Sequence, residues 1–195
     1  MKNITHYNQF CPAIGAGIEW SAARRGSLFA ATVTRAESNG AGETVTDPIT
    51  NSNMGSTDAP NLDPVAYPVT PGNNTYEKWQ RFHVTAMGGS SSIQNLKFWR
   101  TGSLGANASH KTNARESGYA GAATYATPVA TASSVADQTV PTSQPSGANF
   151  GIGGALDGSL TDVGYSDYIV HQIQTTGAAV AGSTTTLNYQ YDEVA

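Results

Sequence analysis

Apolar and polar residues alternate with a period of two in several separate stretches, and none shows a sustained period of 3.6. Residues 76–85 (YEKWQRFHVT) put Tyr76, Phe82 and Val84 on one face and Trp79 on the other. Residues 93–100 (IQNLKFWR) put Leu96 and Phe98 on one face and Trp99 opposite. Residues 185–192 (TTLNYQYD) alternate cleanly, with Leu187, Tyr189 and Tyr191 on one side. Residues 168–175 (YIVHQIQT) and 28–35 form two further clear strands. Weaker strands are expected at 43–46, 119–132, 138–140 and 149–152. Alternation of this kind is the signature of half-buried β-strands. The glycine-rich run 177–183 separates the last two strands and predicts a hairpin there, and Gly88-Gly89 predicts a turn. Ser159-Leu160-Thr161-Asp162 is the one place where a short helical turn is expected.

Short strands punctuated by Gly and Pro predict an all-β chain built as a single jelly-roll-like β-sandwich. Residues 1–26 differ from the rest. Tyr7, Phe10, Ile14, Ile18 and Trp20 are spaced through small residues and two glycines. Such a segment is a poor helix, yet too apolar for a free tail. It reads as an extended N-terminal arm or edge strand, with those five side chains as expected partner contacts. Residues 27–195 then form the sandwich. Within it, 47–74 carries Pro48, Pro60, Pro64, Pro68 and Pro71, which predicts an extended, irregular connection.

Composition narrows the functional classes. Charged residues make up 12% of the 195 residues, against roughly 25% in a typical soluble domain. Mean hydropathy is nonetheless -0.32, so polarity comes from Ser, Thr, Asn and Gln. A low-charge surface suits a subunit with neighbours on several sides, because buried charge is costly at interfaces. An extracellular β-protein would look similar. The net charge of -4, and the lack of any basic cluster beyond Arg24-Arg25, argue against nucleic acid as a partner. The N-terminus lacks the apolar core of a secretory signal, and no apolar run approaches a membrane span, so no membrane partner is expected and synthesis in a cytoplasm is. The one cysteine, Cys11, excludes an intrachain disulfide.

No catalytic motif emerges. His6, His83, His110 and His171 lack metal-ligand spacing, with His110 in what reads as a polar loop. Asp157, Asp162 and Asp167 recur among glycines, where turn chemistry is the plain reading and a bound cation the sharper one. Gly151-Ile152-Gly153-Gly154 has no following lysine and reads as a bend. Trp79, Trp99 and Tyr76 would suit either a sugar platform or a core. The expectation is a non-enzymatic protein with no cofactor and no metal.

The stretch NFGIGGALDGSLTDVGYSDYIVHQIQTT (149–176), followed by LNYQYDE (187–193), resembles the C-terminal half of small virion structural proteins of tailed bacteriophages. LKFWR (96–100) is similar to their middle. The resemblance covers at most residues 75–193. It implies a head decoration (cement) protein on the outer capsid surface. There it would bridge neighbouring major capsid subunits, or other virion subunits, as a homo-oligomer. A tail or baseplate component is the first alternative, and a carbohydrate-binding module of a receptor-binding protein the second. A polysaccharide depolymerase would need paired carboxylates at one cleft, and most of the 14 acidic residues fall in turns or at the chain end.

Overall fold

The computed structural model describes residues 30–113, 124–132, 137–180 and 184–195. These residues contain strands and no helix. The chain runs β1 (Thr32–Asn39), β2 (Thr44–Thr46), β3 (Lys78–Ala86), β4 (Ser92–Thr101), β5 (Ala108–Thr112), β6 (Gln138–Thr139), β7 (Ser159–Leu160), β8 (Gly164–Tyr165), β9 (Ile169–Thr175) and β10 (Thr186–Val194). Two antiparallel sheets pack against each other. The large one has the order β2-β1-β3-β9-β5-β6, with β8 also paired to β3, and the small one has the order β10-β4-β7. The all-β sandwich expected from the alternation is therefore the architecture.

The inner face of the large sheet follows from register. Arg35 pairs with Phe82 and Glu37 with Gln80, while Gln80 also pairs with Ile169 and Lys78 with His171. Residues opposite one another share a face. One half of this inner face is apolar: Phe82, Val84 and Ile169 meet Ile93, Leu96, Phe98, Tyr189 and Tyr191 of the small sheet, and Phe150 and Ile152 fill the gap. Phe82 makes an edge contact with Phe150 at 5.3 Å between ring centroids. Phe98 lies 5.2 Å from Tyr189. A β-bulge lets both Ile93 and Leu96 point inward although they are three apart. Gln190 pairs with Lys97 and Asp192 with Gln94, so Asn95 and Leu96 oppose the single residue Tyr191, and Asn95 takes a φ of 55°. The crossing from β3 to β4 turns at Gly88, where φ is +58° and a Cβ would lie 2.5 Å from the Ala30 carbonyl oxygen.

Several local expectations are corrected. β9 and β10 lie in different sheets, so they are not a hairpin. His110 sits within β5 rather than a loop. Ser159–Leu160 pairs with Ile93 and Gln94 instead of starting a helical turn. The first strand is displaced toward the C-terminus of the expected 28–35. Residues 149–152 form no strand; Asn149 instead mimics one with its side chain, accepting the Phe98 N–H at 2.8 Å and donating to the Phe98 carbonyl at 2.7 Å. Of the weak strand at 119–132, residues 124–132 are irregular and the remainder lies outside the described residues.

Candidate functional site

The other half of the inner sheet face is polar. Glu37 on β1 and Lys78 on β3 form an ion pair of 2.7 Å with side chains 0% and 1% exposed. Glu37 is saturated with donors: Oε1 accepts from Lys78 Nζ and from Asn39 Nδ2 at 3.0 Å, and Oε2 from Gln80 Nε2 at 2.7 Å. Lys78 also donates to the Ala59 carbonyl. Gln80 Oε1 receives Ser52 Oγ at 3.1 Å, His171 Nε2 at 3.1 Å and Tyr189 OH at 3.2 Å. Arg35 donates to Ser52 Oγ and lies over the Tyr189 ring at 5.1 Å. Ala59 and Ser52 belong to the proline-rich connection, as does Asp58, which accepts from Asn39 Nδ2 at 2.6 Å. That segment is the cover of the polar half, because its oxygens complete the hydrogen bonding that buried charges require.

The protons in this network follow from one fixed point. A carboxylate only accepts, so Gln80 must turn its NH₂ toward Glu37 and its oxygen toward His171. His171 Nε2 then carries a proton, and its Nδ1 accepts from His110 Nε2 at 3.0 Å. This leaves His110 Nδ1 as a bare acceptor, and it has no hydrogen-bond partner. Both rings are held neutral. Burial, aided by Arg100, lowers the His110 pKa to about 3. Burial also lowers His171 well below its usual value, with His110, Lys78 and Arg35 adding to the effect.

The outer face of the large sheet carries a ladder of rings and a guanidinium. At one end Trp79, 2% exposed, is packed edge-on by Tyr125 at 5.3 Å and Tyr168 at 5.4 Å. At the other end Arg81 lies between two rings, with Cζ 4.0 Å from the Tyr165 centroid and 4.5 Å from that of Tyr168. Glu43 sits 3.6 Å from Arg81 and accepts from Tyr168 OH at 2.5 Å. His83 stacks on Tyr165 at 4.1 Å and is paired with Asp47, which also accepts from Thr34. Burial and the neighbouring acids push the hydroxyls of Tyr125 and Tyr168 up to about 12. Tyr165 is 37% exposed, and Val45 within β2 and Val163 just before β8 are more open still. This end of the sheet is a surface of preordered side chains open to contact.

The expected partner contacts Tyr7, Phe10, Ile14, Ile18 and Trp20 lie outside the described residues, as do His6 and Cys11. Trp79 and Trp99 are both buried, which removes them as an exposed sugar platform. Asp157, Asp162 and Asp167 do not converge: Asp162 accepts the Val163 N–H and Asp167 the Gly154 N–H. Among the described residues no group of three His, Cys, Asp or Glu is placed to hold a metal ion. His110 and His171, which looked unrelated in sequence, are brought into contact. The Glu37–Lys78–Gln80 centre and the Arg81 ladder escaped sequence reading. A signal for the first existed, since the alternation that points Phe82 and Val84 inward also points Lys78 and Gln80 inward. Comparison of the chain with family models, with curated proteins and with solved structures gave no match.

Proposed function

We propose that this protein is a non-enzymatic structural subunit of a tailed-bacteriophage particle, acting as a head decoration protein that bridges neighbouring major capsid subunits. The observation that carries a contact role is the outer ladder. Tyr and Arg are the residue types that concentrate binding energy in protein interfaces, most of all when already held in place. Here Arg81 is fixed between Tyr168 and the 37% exposed Tyr165 before any partner arrives. The low charge of the chain favours the same role, and the likeness of residues 75–193 to small virion proteins supplies the setting. Copies repeated over a lattice add modest contacts into a strong hold.

Electron microscopy of purified particles containing this chain tests the reading. Density on the outer head shell supports it. Density at the tail or baseplate replaces capsid bridging with tail assembly, and absence from the particle overturns the virion role. Arg81→Ala and Tyr165→Ala should each weaken attachment to particles lacking the protein by about tenfold or more. The thermal midpoint of Tyr165→Ala should stay near that of the wild type, because its ring sits outside the core and is 37% exposed.

A further inference from the structure

The buried ion pair has a third member whose chemistry differs from the other two. The β1–β3 ladder ends with Ser38 opposite Trp79. One step further along both strands sets Asn39 beside Lys78, on the inner face they share with Glu37. Lys78 Nζ and Asn39 Nδ2 both hydrogen-bond to the same atom, Glu37 Oε1, at 2.7 and 3.0 Å. Asn39 Nδ2 is also held by Asp58 Oδ1 at 2.6 Å. The Asn39 carbonyl oxygen is buried and has no partner. An amine, an amide carbon and a carboxylate that faces both nitrogens are thus assembled where water is excluded, Asn39 being 7% exposed.

We propose that Lys78 and Asn39 become joined by a covalent amide bond between Lys78 Nζ and Asn39 Cγ, with Glu37 as the proton carrier. Glu37 takes one proton from the ammonium, which frees the nitrogen lone pair. Nζ attacks Cγ, and the new N–C bond forms as the Cγ–Nδ2 bond breaks. A second Nζ proton passes through the carboxyl group to Nδ2, and ammonia leaves. Glu37 ends as a neutral carboxylic acid beside the new amide. Atoms and charge balance with no oxidant, reductant or outside reactant. The driving force lies in the burial itself. A buried ammonium and a buried carboxylate, each costly to hold away from water, are replaced by three neutral groups. Positioning supplies the rest, since both nitrogens are already held on one carboxylate oxygen and need no encounter. The bond would clamp β1 to β3 across the base of the proline-rich connection, whatever the outer face binds.

The test is mass spectrometry of the purified full chain. The sequence between Arg35 and Lys78 contains no lysine or arginine, so trypsin should release residues 36–78 if Lys78 is free. The bond blocks cleavage at Lys78. The expected result is an intact mass one ammonia below that of the sequence, and a tryptic peptide of residues 36–81 carrying the same deficit. Cleavage of that peptide before Asp47, Asp58 and Asp63 should leave its two ends joined. Glu37→Gln and Lys78→Met should each restore the sequence mass, and Glu37→Gln should melt at a lower temperature than the wild type. A wild-type chain of full mass after prolonged incubation overturns the proposal. So does an ammonia deficit with normal cleavage at Lys78, which would mark a cyclic imide at Asn39-Gly40 instead. Both readings come from the wild-type protein and stand even where a variant fails to fold.

Discussion

Lowering the pH from 7 to 5 should cost this protein about 4 kcal/mol of stability through two histidines alone. His110 and His171 are neutral in the folded protein, and each ring's pKa lies far below the ordinary 6.5. In the unfolded chain both take up protons near that ordinary value. The folded state is therefore favoured without penalty above pH 6.5, and loses ground as pH falls toward the folded pKa values. The slope approaches roughly 1.4 kcal/mol per pH unit for each ring, which amounts to roughly 2 kcal/mol per ring at pH 5. The network explains why the folded state resists the proton. A proton on His171 Nδ1 would face the His110 Nε2–H across 3.0 Å, and one on His110 Nδ1 would find no acceptor. The assay is urea denaturation at intervals between pH 7 and 5, a window above the titration of most carboxylates. His110→Phe is the comparison, since it keeps a ring against Phe98 and His171 and removes one titrating group. Its pH-dependent loss should be smaller than that of the wild type by about 2 kcal/mol. A wild-type loss below about 1 kcal/mol, or an identical profile for His110→Phe, would refute the assignment of both rings as buried and neutral.

Three further outcomes follow from the packing. Tyr189→Ala removes a ring held between Phe82 and Phe98, together with a donor to Gln80, and should cost about 3–5 kcal/mol in urea denaturation; a neutral result would contradict the inward facing of β10. Asn149→Ala leaves the Phe98 N–H and carbonyl unpaired in the interior and should cost about 2–4 kcal/mol, whereas an effect near zero would mean water replaces the side chain. Gly158→Ala would place a Cβ 2.2 Å from the Ile152 carbonyl oxygen, and should destabilise by about 1–3 kcal/mol as judged by the thermal midpoint.

The places where sequence reading succeeded and failed divide along a physical line. β4 and β10 are legible because their inward residues, Leu96, Phe98, Tyr189 and Tyr191, are apolar and their outward ones polar. β5 reads as a loop because its inward residues are His110 and Thr112, which face the polar half of the interior. β1 reads as ending at Arg35 for the same reason, since Glu37 and Asn39 have the polarity of solvent-facing residues and are buried. Periodicity detects burial only where burial is apolar. The β7 and β8 pairings are two residues each and carry no periodic signal at all. The Arg81 ladder depends on β8 meeting β3, so it was hidden with them.

The long connection and the polar interior explain each other. A compact domain seldom keeps an irregular segment of this length unless that segment has work to do. Here it supplies the Ala59 carbonyl to Lys78, Ser52 to Arg35 and Gln80, and Asp58 to Asn39 and to the Gly40 N–H. Without those oxygens the Lys78 ammonium would have Glu37 alone, and a half-satisfied buried pair costs more than an apolar one. The prolines bear on the same point from the unfolded side, because each restricts the free chain and lowers the entropy lost when the segment seats. A segment stiff enough to lie flat, with oxygens where buried donors need them, makes a charged interior tolerable on an otherwise low-charge protein. The same seating holds Asn39 on the Glu37 carboxylate oxygen that also receives Lys78. The geometry that satisfies the charges is therefore also the geometry that would let them react.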